Sequence, residues 1–433
     1  MEIKGKYCKD IKIFTDNIED EALGLLYGIA NHPTFEGSKI RIMPDVHAGV
    51  GVTIGFTCPL TNAVSPSHVG CDIGCSMSSI MFSTKLNSES YVDVEHKIRK
   101  AIPSGFELQH KRIFNMDDFF RFMNNEMKKA RSAWPEMVYH INVTEKYVDD
   151  MLNRIGMDAK VFYKSIGTIG GGNHFIEYGE YDNGSAWTIH CGSRNFGVKV
   201  FKYWDKVANR PFNKSLLRDK ITELKKNITD KKLLPSLIEK IKNNLKTSHP
   251  NGYLLDDDMS SYITDVFFAQ AYAKFNHKVI CDLIIDIMHK FNMKFEGEII
   301  YTTHNYISPR DHIIRKGAIA SYDGDKMIIP FNMRDGLAIC VGKSNDDWNC
   351  SAPHGAGRLM SRSKAKNTIN VEEFKKSMEG IYSTSVGTGT IDESPMVYKD
   401  YNEILSLIEP TANVLFLIKP KINIKAMESC EDN

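Results

Sequence analysis

No stretch of this chain approaches the roughly 18 uninterrupted apolar residues of a membrane-spanning helix, and its first residues, MEIKGKYCKDIKIF, lack the apolar centre of a signal peptide. The expectation is a cytoplasmic enzyme with no membrane partner. Cysteine is sparse: nine in 433 residues, an odd number and irregularly spaced, which excludes the dense disulfide framework of a small secreted domain. Reduced thiols follow, and a bond between Cys71 and Cys75 is not expected. Net charge is nearly absent, at +1 from 55 basic and 54 acidic side chains, so any hold on a polyanion must come from local patches. Internal repeats, low-complexity linkers and Pro/Gly/Ser-rich separators are also missing. That favours one composite domain over residues 1–433.

What is present points to a mixed α+β architecture. Short β-type runs (Lys39–Met43, Ala186–His190, Glu298–Tyr301) alternate with helical patterns, and the stretch from about 214 to 291 is expected to be helical throughout. Its first part, 214–246, holds ten Lys or Arg against four acids. This is either a solvated helical face or a track for a nucleic-acid backbone. Glycine, histidine, cysteine and asparagine collect at expected strand ends, where residues far apart in sequence can converge on one pocket.

Six segments carry chemistry. In Met43–Gly51, Asp45 and His47 could touch a ligand or only hold a tight turn. In His68–Ser76, Asp72 and Cys75 have a spacing that suits a shared metal, although an isolated cysteine is usually a small buried hydrophobe. In Gly167–Glu177, three consecutive glycines precede Asn173, His174 and Glu177, an arrangement that lets backbone N–H groups approach an anion. His190–Arg194 ends a strand with an imidazole, a hydroxyl and a guanidinium suited to phosphate. Thr302–Asn305 offers His304 and Asn305, either ligands or polar caps. Ser351–Lys366 places His354 on a glycine-flanked turn expected to open a helix whose exposed side carries Arg358, Arg362, Lys364 and Lys366, unless that helix is an ordinary basic surface element.

Six such segments in one chain would be a large coincidence if none met. Three histidines, a thiolate and a carboxylate suffice to hold a pair of metals, and a fourth histidine is left as a nucleophile. Metal-assisted phosphoryl chemistry is the reaction class that follows.

The same residues resemble the RtcB-type RNA ligases over nearly the whole chain: Pro44–Gly49, Gly70–Cys75, Gly170–Phe175, His190–Arg194, Thr303–Asn305, His354–Arg358 and the late Lys425 follow the family's order. The resemblance implies an RtcB-like domain whose mixed sheets line a metal pocket. It also implies a ligase that joins an RNA 3′-phosphate or 2′,3′-cyclic phosphate to a 5′-hydroxyl, in RNA repair or tRNA splicing, using GTP and two Mn²⁺. Thiolate and imidazole ligands alone would equally suit Zn, Co or Fe. By resemblance, Cys75 bridges both metals, Asp72 and His174 bind one, His190 and His304 bind the other, and His354 is the nucleophile guanylylated by GTP. Glu177 reads the guanine edge, with Tyr398 and Lys425 also in the base pocket. Asn173, Asn305 and the backbone of Gly355, Ala356 and Gly357 contact phosphate or ribose, while Phe175, Asn332 and Met333 complete the nucleotide site beside His174 and His304. Arg194 and Arg358 are assigned to RNA, and an activating protein factor is a further partner to seek.

The chain departs from the family's commoner pattern at three points. Ser76 replaces a glycine, Pro330–Gly336 replaces a smaller Gly-Ser-Met-Gly loop, and Leu337 stands where a nucleotide-contacting serine is expected. Rival readings are a metal-dependent phosphoesterase and a non-catalytic RNA-end binding protein. Retention of His354 separates both from a ligase.

Overall fold

The computed structural model describes residues 1–210, 221–222, 224–225, 233–239 and 252–426. In chain order its strands are β1 (Glu2–Ile3), β2 (Asp10–Ile13), β3 (Lys39–His47), β4 (Ile54–Pro59), β5 (Ser76–Phe82), β6 (Phe175–Tyr181), β7 (Gly184–Cys191) and β8 (Phe295–Thr303). They continue with β9 (Asn305–Ile307), β10 (Ile313–Lys316), β11 (Ala318–Ala320), β12 (Lys326–Asn332), β13 (Gly336–Gly342), β14 (Ser351–Pro353) and β15 (Ala412–Ile424). They form a six-stranded sheet, β1-β2-β3-β4-β10-β9, a two-stranded one, β11-β14, and a seven-stranded one, β12-β13-β15-β6-β7-β5-β8. The outer strands β12 and β8 of the last approach each other, the Ile328 N–H donating to Thr302 Oγ1 at 3.2 Å, so this sheet is curled. The architecture is α+β, as expected.

The expected strands are present and longer than the sequence pattern suggested. The helical middle segment is present, and only the expectation that it is helical throughout is corrected, at residues 252–255. One helix runs Asp256–His289, and the chain just before it is extended, because the main chains of Leu254 and Val64 exchange two hydrogen bonds of 2.8 and 3.0 Å. Most of the basic segment 214–246 lies outside the described residues. The helix is apolar nearly all round, with Tyr262, Val266, Phe267, Ala271 and Phe275 among its buried residues, so packing on all sides rather than amphipathicity sets its composition. Three aspartates in its first turn complement the helix dipole. Phe119, Phe162 and Phe196 pack around it, and Ile80, Trp187 and Ile189 join its far end to the seven-stranded sheet.

His354 does not open a helix. It follows β14, and the next helix is Arg362–Thr368, capped by Ser361 Oγ accepting the Lys364 N–H at 3.3 Å. Gly357, at φ +77°, keeps the intervening chain in a loop against Asp45, whose carbonyl oxygen lies 2.4 Å from where a Cβ would sit. Lys364 and Lys366 are exposed, but Arg358 and Arg362 turn inward to Asp392 and Glu393.

Candidate active site

Sheet register explains why the ligand-type residues meet. Ser76 at the start of β5 pairs with Cys191 at the end of β7 and with Thr303 at the end of β8. Phe175 at the start of β6 pairs with His190, and Ile424 at the end of β15 pairs with Ile176. Antiparallel neighbours therefore bring Cys75, His174, His190, His304 and Lys425 to one rim. The His304 N–H donates to the Cys75 carbonyl at 3.0 Å, locking two of them together.

Cys75 Sγ lies 3.4 Å from His174 Nε2 and 3.2 Å from His190 Nε2, His190 Nε2 lies 3.2 Å from His304 Nε2, and His174 Nε2 lies 2.9 Å from Asp72 Oδ2. Two triads result, Cys75 with His190 and His304, and Asp72 with Cys75 and His174, sharing the sulfur. Ligand atoms around one cation with bonds of about 2.0–2.3 Å stand about 3–3.7 Å apart, so these separations fit a metal. His190 Nδ1 donates to the Asn173 carbonyl at 3.0 Å, which leaves the Nε2 lone pair facing the cluster, as in metal-binding histidines. Burial, reinforced by His174 and Lys425, pushes the His190 imidazole well below its ordinary range, and burial does the same to His304. Burial and the neighbouring Asp72 charge hold the Cys75 thiol well above its usual value, so a thiolate here calls for a cation. Burial opposes ionisation of Asp72, but the His174 hydrogen bond and charge outweigh it and lower its pKa. The donor set could thus hold a metal ion.

Two glycines are required by this packing. A Cβ on Gly170 would stand 2.0 Å from His174 Nδ1, and one on Gly192 would stand 2.1 Å from Asp72 Oδ1. The long helix fastens the same strand end: His277 Nε2 donates to the Cys191 carbonyl at 2.9 Å and Asn276 Nδ2 to that of Gly192 at 3.4 Å.

Beside the cluster opens a cavity of about 290 Å³. His354 faces it, its ring centroid 5.1 Å from that of His304. Asp45, fully buried, accepts from His354 Nδ1 at 2.6 Å and from the His354 main-chain N–H at 3.0 Å. Asp45 is therefore a site residue, and His47, whose Nδ1 donates to the Asp45 carbonyl at 2.9 Å, lines the cavity. Lys399 secures this strand, its ammonium donating to the carbonyls of Pro44 and Val46 at 3.1 and 3.2 Å.

At the other end of the cavity Glu177 accepts from Asn423 Nδ2 at 2.8 Å. Burial raises its carboxyl to about 8 despite that bond and the Lys425 charge. Glu393, buried among Lys425, Arg362 and Arg358 and accepting from Tyr398 Oη at 2.7 Å, is held down at about 2: burial opposes ionisation but the three cations prevail. Lys425 Nζ stands 5.4 Å from the centre of the Phe175 ring. Sequence reading missed Glu393, Asn423 and Arg362 as cavity residues. No local glycine or histidine marks the first two, and Arg362 was read as exposed.

Of the expected nucleotide residues, Asn173, Phe175, Glu177, His304, Asn305, Asn332, Met333, His354, Gly355, Ala356, Gly357, Tyr398 and Lys425 all line the cavity, as does Arg358. The Asn332 side chain is engaged in the β12–β13 turn, donating to Asp335 and accepting the N–H groups of Arg334 and Asp335. The Asn305 side chain accepts from the Gly317 N–H at 2.9 Å. Leu337 packs with Met77, Met81 and Ile300 rather than lining the cavity. Ser76 hydrogen-bonds Tyr301 Oη at 2.7 Å. Arg194 is not brought to the cavity; its guanidinium donates to Thr168 Oγ1 at 3.0 Å and the Gly105 carbonyl at 2.6 Å.

A family model described as RtcB, tRNA-splicing ligase, matches residues 26–426. The RNA-splicing ligase RtcB of Escherichia coli K12 is 27% identical over 96% of this chain and 97% of its own length. The tRNA-splicing ligases RtcB of Aeropyrum pernix and Archaeoglobus fulgidus are each 24% identical, covering 84% and 90% of this chain and 82% and 88% of their own lengths.

Proposed function

The chain belongs to the RtcB family of tRNA-splicing ligases, and from that premise we propose that it is an RNA ligase of splicing or repair that joins a 3′-phosphate or 2′,3′-cyclic phosphate end to a 5′-hydroxyl with GTP. The observation that carries the finer chemistry is the place of His354: held by Asp45, beside His304, in a cavity shared with two ligand triads. A phosphoesterase needs metals and water but no nucleophilic histidine, and a non-catalytic RNA-end binder needs neither, so covalent labelling of His354 separates the readings.

Asp72 and His174 would hold one Mn²⁺, His190 and His304 the other, and Cys75 both. Bound there, the ions supply positive charge for the phosphate oxygens. With its Nδ1 proton held by Asp45, the His354 ring presents Nε2 as the lone-pair atom. Nε2 would bond to the α-phosphorus of GTP as the bond to pyrophosphate breaks. A cyclic end would first be opened by water, breaking the P–O2′ bond to leave a 3′-phosphate, and the guanylyl group would then pass to an oxygen of that 3′-phosphate, freeing the histidine. Attack of the 5′-hydroxyl oxygen on the RNA phosphorus forms the new ester, expels GMP and releases the hydroxyl proton.

Glu177, backed by Asn423, would take the guanine edge, whose adjacent N–H donors would draw its carboxyl into the ionised form, and Lys425 with Tyr398 would close the base pocket. The ionised Glu393 would hold Arg358, Arg362 and Lys425 in place around the cavity. On this reading residues 1–433 act as one catalytic unit in the cytoplasm, with an activating protein as an additional partner. The test is labelling with α-³²P GTP: the wild type should become covalently labelled, and His354→Ala should keep its metals and fold, take no label and seal no 3′-phosphate RNA. Wild-type labelling of the alanine variant would remove the nucleophile assignment.

A further inference from the structure

Phe106 is the most exposed aromatic side chain among the described residues, with 78% of its surface in solvent. It sits at the tip of a turn closed by the Glu107 N–H donating to the Ser104 carbonyl at 3.2 Å, with Gly105 at φ +66°. His110, Lys111 and Arg112 follow, all exposed. An exposed phenyl ring is costly to hydrate, and a mobile loop could bury it elsewhere.

This loop is pinned at three points. The Ile169 N–H donates to the Pro103 carbonyl at 3.0 Å, Gln109 Nε2 to that of Gly167 at 2.9 Å, and Arg194 Nη2 to that of Gly105 at 2.6 Å. All three bonds tie it to the glycine segment or to the guanidinium behind it. Arg194 Nη1 stands 2.7 Å from the Cβ position of Gly170, the position that is 2.0 Å from His174 Nδ1. The Phe106 turn is therefore separated from a ligand imidazole by one arginine side chain and one glycine.

We infer that the Ser104–Glu107 turn and the basic run His110–Arg112 form a landing surface for single-stranded RNA next to the ligation site, Phe106 stacking a base and Lys111 and Arg112 meeting backbone phosphates. The inference rests on the ligase reading above. Single-stranded RNA is recognised by stacking of unpaired bases on aromatic rings beside cations, and the stack tolerates any sequence, as an end-joining enzyme requires. A stable protein interface takes roughly 20–30 residues a side, far more than one ring on a four-residue turn offers. Here the ring is flanked by Ser104, Gly105 and Glu107, and across residues 104–112 the one exposed carboxylate, Glu107, is outnumbered by the exposed Lys111 and Arg112.

The test uses the full chain, a fluorescent oligoribonucleotide ending in a 3′-phosphate, and three variants: Phe106→Ala, Phe106→Trp and the double variant Lys111→Ala/Arg112→Ala. Phe106→Ala should raise the RNA Kd about tenfold or more, and Phe106→Trp should stay near wild type. The double variant should flatten the slope of log Kd against log salt by about 1.4, two phosphate contacts at roughly 0.7 each. All three should still take label from GTP like the wild type. RNA affinity within twofold of wild type in Phe106→Ala overturns the inference, whether or not that variant loses a protein partner. So does a loss of GTP labelling that parallels the loss of RNA binding, because the turn would then be holding the fold. A wild type that takes no GTP label yet binds RNA in a Phe106-dependent way would fail the ligase reading and leave the surface standing.

Discussion

Asp45 Oδ2 binds His354 twice, 2.6 Å from the ring Nδ1 and 3.0 Å from the main-chain nitrogen, across 309 residues of sequence. One carboxylate thus sets the ring's tautomer and the position of the turn that carries it. Asp45→Asn preserves the shape, but its amide can donate to Nδ1 and favour the tautomer with the proton on Nε2. Guanylylation should fall on the order of 10³-fold or more, as when the wrong histidine tautomer is imposed in a serine protease. Bound metal should be unchanged by elemental analysis. Labelling at the wild-type rate would show that Asp45 only shapes the turn.

Cys75 belongs to both ligand triads, so its replacement should cost more metal than that of any one histidine. Cys75→Ser keeps the size but raises the ligand pKa far above neutrality. Near-complete loss of bound metal and of sealing is expected, with the circular dichroism spectrum retained. Because the buried thiol is held protonated, metal binding to the wild type should release a proton and tighten as pH rises. A serine variant that still carries two metals per chain would disprove the bridge.

Gly192→Ala would put a methyl group where Asp72 Oδ1 now lies, 2.1 Å from the new Cβ. The carboxylate must move, while His190 and His304 keep their places. Metal content should drop toward one ion per chain. Gly28→Ala, on the helix Asp20–Ala30 with nothing within 4 Å of its new methyl, is the matched control and should leave metal content intact and raise stability by about 0.5–1 kcal/mol. Equal metal content in the two variants would refute the packing argument.

Glu177 gives a pH dependence whose sign is fixed by burial. The unfolded chain releases this proton near the ordinary value of 4.5, the folded protein only near 8. Between those values the folded state binds more protons, so this group's contribution to stability declines as pH rises from about 5 to 8 and is constant above. Glu177→Gln removes the titration and can still accept from Asn423. Its Tm should match wild type near pH 5 and exceed it by a growing margin up to pH 8. A constant difference across that range would place the titration elsewhere.

The sequence alone marked which residue types are candidates for the chemistry. All four of Cys75, His174, His190 and His304 stand at the ends of β-type runs, and the first three lie within two residues of a glycine; both signals are local, because glycine clears space and a run of β-branched and aromatic residues marks a strand. Local signals failed where the chain's partner lay far away. The region before Asp256 is extended because Leu254 bonds to Val64, and His354 lies eight residues before a helix because Gly357 must pass the Asp45 carbonyl. Arg358 and Arg362 had the look of a basic surface face until Glu393 and Asp392, some 30 residues on, drew them inward. Only the tertiary structure decided these, along with the sharing of Cys75 and the Asp45 grip on His354. Antiparallel register and strand order choose which distant residues share a rim, and neither is written in any one segment.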